Sequence, residues 1–179
     1  MREKIKKALD AGSGSNPLFE VGFDVIHTDI DRHSFHLEVL CDGCHLPFVD
    51  SCFVLVHASH VLEHISNPFH FIQELKRVSS RQVVVRVPNG SFYVAGSMSP
   101  HHIFSWNEFT LANLLRRFFD SVRVSSCWKL KRTNRGWLRN KVRTFKFLFL
   151  SKFLGNDELL AICNTKAYEG QRKNGPSKY

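Results

Sequence analysis

Three aspartates stand where short apolar runs end. Asp10 opens the turn Ala11-Gly12-Ser13-Gly14, Asp29 closes the run at residues 24–28, and Asp42 closes the run at residues 37–41. An ionised carboxylate accepts hydrogen bonds and donates none. At strand ends such groups suit ribose hydroxyls and a base amine, while glycines let backbone come close to a ligand. The chemistry these residues offer is a grip on a nucleoside. A dinucleotide fingerprint would want a third glycine, and the turn lacks one.

Ten histidines supply candidate proton acceptors. His60 follows the fourth apolar run, and His101 and His102 follow the fifth, so all three are candidate catalytic bases. His64 is read as structural, and Glu63 as a capping or positioning carboxylate or a weaker candidate base. Cys41-Asp42-Gly43-Cys44-His45 matches a haem-attachment pattern, but export and an axial ligand are not in evidence. As zinc ligands the two cysteines would make half a site, so no metal is expected.

These residues need a sheet to position them. Residues 7–10, 24–28, 37–41, 52–58 and 81–87 read as strands, the fourth as a central one covered on both faces. Asn67-Pro68 starts a helix whose stripe would be Phe69, Ile72, Leu75 and Val78. Ser105 with Glu108 suggests a capping box for a second helix that buries Phe109, Leu111, Leu114, Leu115 and Phe118. Residues 121–127 and 159–165 read as the last two strands. Strands alternating with helices imply a doubly wound, parallel α/β sheet.

The length of 179 residues suits one domain with its own core. The start of the sequence carries no apolar signal segment, and five scattered cysteines fit a reducing compartment, so a cytoplasmic location is expected. No apolar run is long enough to span a bilayer. The net charge of +9 is uneven: residues 121–179 hold 14 Lys and Arg against 3 acids, whereas residues 1–120 hold 11 against 13.

The run Cys41-Asp42-Gly43-Cys44-His45-Leu46-Pro47-Phe48 is followed by Val61-Leu62-Glu63-His64-Ile65. With the glycine turn, these resemble the class I S-adenosylmethionine-dependent methyltransferases, in particular their small-molecule and lipid branch, over residues 7–125. The resemblance implies a Rossmann-like, mostly parallel seven-stranded sheet with an antiparallel last strand. It implies S-adenosylmethionine as cofactor. Asp10, Gly12, Ser13 and Gly14 would then line its methionine part, and Asp29 with Ile30 would meet the ribose. Asp42 and Gly43 would meet the adenine, and the backbone of Ala58 and Ser59 the methionine amino group. The absence of an Asn/Asp-Pro-Pro-aromatic motif after the fourth strand argues against amino-methylation of nucleic-acid bases. The lack of cysteines after the fourth and fifth strands argues against cytosine C5 chemistry.

Here the sequence departs from the family in two ways. The helix after the first strand is shortened, since Ser15-Asn16-Pro17 leads quickly to the next run, and no covering helices precede the first strand. Residues 1–169 are read as one methyltransferase domain and 170–179 as a disordered tail. A basic, aromatic insert at 128–158 is the candidate cover for the acceptor. Residues 128–153 also offer an edge helix with a solvated face, a peripheral membrane contact or a nucleic-acid surface. The expected function is methyl transfer to a small, apolar or lipid-like acceptor. The alternative is a non-catalytic cofactor-binding subunit that docks a protein or RNA through the insert.

Overall fold

The structure, a computed structural model, describes residues 6–92, 100–127 and 158–165. The expected insert and tail lie outside the described residues. Seven strands form one sheet: β1 (Lys6–Ala11), β2 (Phe23–Asp29), β3 (Val39–Leu40), β4 (Phe53–Ser59), β5 (Ser79–Pro88), β6 (Ser121–Cys127) and β7 (Glu158–Asn164). Their order is β3-β2-β1-β4-β5-β7-β6. All pairs are parallel except those of β7, which runs antiparallel to both β5 and β6. The order reverses between β1 and β4, so the loops after these strands open a crevice where ligands of such sheets bind.

Two α-helices pack on this sheet, α1 (Pro68–Val78) and α2 (Glu108–Leu115). Asn67 caps α1 by accepting from the His70 amide at 3.1 Å, and Pro68 occupies the first turn, where its missing N–H costs nothing. The helix ends where Ser79 turns extended and begins β5 at once. Its buried stripe is Phe71, Ile72, Leu75 and Val78; Phe69 is half exposed, against Phe118 and the Arg117 guanidinium. Each large side chain of that stripe contributes roughly 1.5–3 kcal/mol by leaving water.

α2 starts two residues later than the Ser105 cap would put it. Asn107 accepts from the Thr110 amide at 2.9 Å, and the Thr110 hydroxyl accepts from the Asn107 amide at 3.0 Å, a reciprocal cap. The reason is Trp106, which is buried and bridges to Asn89 after β5, so the chain cannot yet coil there. Phe109, expected in the core, is 72% exposed.

One cluster joins both helices to one sheet face: Leu9, Val56, Val83, Val85 and Ala161 meet Phe71, Leu75, Leu111 and Leu115. The next residue along each strand points the other way. That second face carries the row His27, Asp10, His57, Val84 and Ile162, fixed by the strand register. No helix intervenes between β1 and β2, so the shortened helix expected there is a turn and an extended segment.

Candidate active site

The glycine turn after β1 is fastened from behind. The amides of Gly12 and Ser13 both donate to the Thr28 carbonyl, at 2.8 and 3.0 Å, and the Gly14 amide donates to Asp29 Oδ2 at 2.7 Å. These three N–H groups are therefore spoken for, and the turn makes no anion nest of the kind that cradles a pyrophosphate. A cationic ligand needs no such donors. Gly12 adopts φ +75°, and a Cβ there would strike the side chain of Val61. Gly14 also has positive φ but faces open space. The turn thus packs onto Val61, at the start of the Val61-to-Ile65 segment.

Asp10 has a supporting role rather than an open one. Its side chain is buried; Oδ1 accepts from His57 Nδ1 at 2.9 Å, and Oδ2 accepts from the Leu18 amide at 2.7 Å and faces His27 Nδ1 at 3.2 Å. Burial alone would raise its pKa, but these bonds, His57 foremost, hold it below the usual carboxylate range. The sequence reading, which set Asp10 against the methionine part, did not foresee this row of three strands. Only register brings His27 and His57 to either side of it.

Asp29 is half buried at the end of β2, and its Oδ1 accepts from the Asp31 amide at 2.9 Å. Each oxygen keeps a further lone pair for a hydroxyl. Ile30 beside it is 75% exposed, an apolar surface at the crevice. Asp42 is exposed after β3. Its Oδ1 accepts from the Cys44 amide at 2.8 Å, which with His45 holds its pKa low and the carboxylate ionised. Gly43 passes close to α1: a Cβ there would lie 2.6 Å from the Phe71 ring. Ser13 Oγ is buried without a hydrogen-bond partner, a polar atom aligned with the same turn.

The Leu46-Pro47-Phe48 motif is a clamp. Leu46 N donates to Glu74 Oε2 at 3.0 Å, while Arg77 donates to the carbonyls of Leu46 and Phe48 at 2.9 and 2.7 Å. Arg77 also pairs with Glu74 and Asp50, so α1 fixes the loop that carries Asp42 and Gly43. Burial pushes the Cys41 and Cys44 thiols up, away from the thiolate a metal would need.

At the end of β4 the chain passes Ala58, buried, and Ser59, half buried, into His60, which takes φ +57°. His60 Nε2 meets Glu158 Oε1 at 2.9 Å, and its Nδ1 approaches Glu63 Oε1 at 3.4 Å. The carboxylates of Glu158 and then Glu63 push its pKa up to about 9 against the effect of burial. An imidazolium has no lone pair to accept a proton, so His60, expected as a base, is a cation tying β4 to β7 in this arrangement. The 3₁₀ turn Leu62–His64 then brings His64 against His102, ring centroids 4.8 Å apart, and its Nδ1 donates to the His101 carbonyl at 3.0 Å. His101 and His102 thus flank the turn after β4, as their position after β5 suggested. His64, set aside from sequence as structural, belongs to the same cluster.

Two concavities among the described residues lie elsewhere. One, of about 390 Å³, runs along β2 and is lined by Phe19, Phe23, His27 and Glu38. Another, of about 370 Å³, lies between Asn89 after β5 and the start of α2. The first contains none of the strand-end carboxylates at the crevice.

Residues 9–85 match a family model described as a methyltransferase domain. No curated protein matches the chain. Among solved structures, the chain is similar to a SAM dependent methyltransferase from Archaeoglobus fulgidus at 20% identity. That match covers 90% of this chain and 87% of that one, with a TM-score of 0.61. It is similar at 13% identity to a chain from the complex between the Haloferax volcanii Trm112 methyltransferase activator and a methyltransferase. There 91% of this chain and 83% of that one are covered, with a TM-score of 0.63. A third relative is Haemonchus contortus phosphoethanolamine N-methyltransferase 2 in complex with S-adenosyl-L-methionine. It shares 15% identity over 89% of this chain and 48% of that one, with a TM-score of 0.59. At these identities the likeness to the solved structures is one of fold.

Proposed function

We propose that this chain, a class I S-adenosylmethionine-dependent methyltransferase by its matched segment and its sheet, methylates a small, apolar or lipid-like acceptor. One observation carries the donor half. The turn Gly12–Gly14, Asp29 and the Asp42-Gly43 pair end three neighbouring strands on the crevice side of the sheet. The residues present fit the donor: the amides of Gly12, Ser13 and Gly14 are already bonded, which suits a sulfonium rather than a phosphate, and the carboxylates of Asp29 and Asp42 keep acceptor capacity. When bound, the donor supplies an electrophilic methyl group. Gly12, Ser13 and Gly14 would hold its methionine part, with the backbone of Ala58 and Ser59 at the amino group. Asp29 and Ile30 would hold the ribose, and Asp42 and Gly43 the adenine.

On the acceptor side the chain's task is alignment, because in-line displacement rewards a fixed approach more than a strong base. His60 is already charged, so it anchors rather than deprotonates. Ile103, 58% exposed next to His102, supports an acceptor with apolar character. Among the described residues no helix is long and apolar enough to cross a membrane.

Methyl-labelled donor incubated with the full chain and separated lipid, RNA and protein fractions tests the reading. Label in the lipid or small-molecule fraction is expected. Label confined to RNA or protein, or none anywhere, would overturn it.

A further inference from the structure

The cluster beyond the 3₁₀ turn has a property the methyl-transfer reading does not use. Glu63 is 1% exposed, and neither carboxylate oxygen accepts a hydrogen bond; His60 only approaches Oε1, which leaves Oε2 without a partner among the described residues. His60 faces Oε1 alone, at 3.4 Å, and a buried acceptor left like Oε2 is costly unless a further partner completes it. Ligand atoms of Glu63, His64 and His102 all lie within 4.8 Å of one another. We propose that Glu63, His64 and His102 form a divalent transition-metal site.

The hydrogen bond behind His64 supports this. His64 Nδ1 must carry its hydrogen, because its partner is the His101 carbonyl, which can only accept. In the neutral ring this leaves the Nε2 lone pair for a metal, the orientation that second-shell carbonyls impose on ligand histidines. Two imidazoles and one carboxylate suit zinc, iron, cobalt or manganese far better than calcium or magnesium. Bonds of about 2.1 Å set ligand atoms about 3 to 3.5 Å apart, so the cluster must close by roughly an ångström. His64 is exposed and His102 half buried, which leaves space for their rings to turn towards the buried Glu63.

Three protein ligands leave coordination positions open for water or for an oxygen of the acceptor. Val61, one residue before the turn, packs on Gly12, so the ion would sit beside the methionine end of the donor site. That role rests on the proposed methyl transfer; binding of the ion does not.

Cobalt(II) titrated into the full chain, without donor or acceptor, tests the site by its visible absorption. One equivalent should bind with d–d bands, and His64→Ala and His102→Ala should each weaken binding about tenfold or more. Circular dichroism must show both variants folded, which their exposure favours; Glu63→Gln serves as a third variant. No saturable binding, binding untouched by either histidine variant, or a thiolate-to-cobalt band that points to the cysteines instead would each overturn the proposal. Calorimetry with S-adenosylmethionine is run separately, so failure of donor binding and failure of metal binding are distinguishable.

Discussion

The Glu74 carboxylate accepts the Leu46 amide at 3.0 Å across 28 positions of sequence. The Leu46-Pro47-Phe48 motif is thereby a part of α1's surface, with Arg77 closing the other side on the Leu46 and Phe48 carbonyls. Arg77→Ala would leave both carbonyls to water and Glu74 without its cation. The side chain is partly exposed, so screening limits the loss to about 2 kcal/mol, read as a lower urea midpoint at unchanged slope. Because the loop also carries Asp42, donor affinity should fall in the same variant. A stable Arg77→Ala protein with full donor affinity would show the clamp to be idle.

Acid should unfold the protein through the same groups. Asp10, Asp42 and Glu74 all have pKa values below the ordinary ones, Glu74 chiefly through its hydrogen bonds from Arg77. A carboxylate whose folded pKa is depressed adds stability above its unfolded value of about 4, and loses it as pH falls through the folded value. Stability should therefore hold from neutral pH to about 4 and drop below it. Glu74→Gln should flatten that drop, measured by denaturant midpoints across pH. A slope unchanged in Glu74→Gln would remove this carboxylate from the account.

Local signals made several elements legible. Asn67-Pro68 is a start signal that needs no tertiary help, whereas β1 to β4 pair in parallel with no α-helix between them. Phe109 shows where the pattern runs out: apolar spacing marks a stripe but does not say what the sheet leaves uncovered. Ser105 and Asn107 are both acceptable caps, and the burial of Trp106 chose between them. The row His27, Asp10, His57 depends on register across three strands, and His60 meets Glu158 across 98 positions. No local rule contains such pairs. The positions of Asp29 and Asp42 were readable because Asp29 ends β2 and Asp42 follows β3 by two residues.

Gly12 carries two constraints that mutation can separate. Its φ of +75° disfavours any side chain, and a Cβ would strike Val61. Gly12→Ala should cost about 2 kcal/mol and weaken donor binding. Val61→Ala should make room without relaxing the backbone, so Gly12→Ala in that background should cost less than in the native protein. A double-mutant cycle by urea denaturation measures the difference, which should reach about 0.5–1 kcal/mol. Strict additivity would mean that the backbone conformation alone requires the glycine.

The base-reading role proposed for Asp42 would have a chemical signature. Adenine offers an exocyclic amine, which a carboxylate can accept, whereas hypoxanthine offers a carbonyl there and would be repelled. The Asp42 carboxylate is ionised at neutral pH, with one oxygen held by the Cys44 amide, so its acceptor character is fixed. Asn has both a donor and an acceptor, and an amide rotation would let it serve either base. The native chain should then bind S-adenosylhomocysteine more tightly than S-inosylhomocysteine, by about tenfold or about 1.4 kcal/mol. Asp42→Asn should compress that ratio towards one, mostly by improving the inosyl ligand. Calorimetry with both ligands on both proteins gives the four constants required. If the ratio survives the substitution, Asp42 orders its loop through Cys44 and His45 and does not read the base.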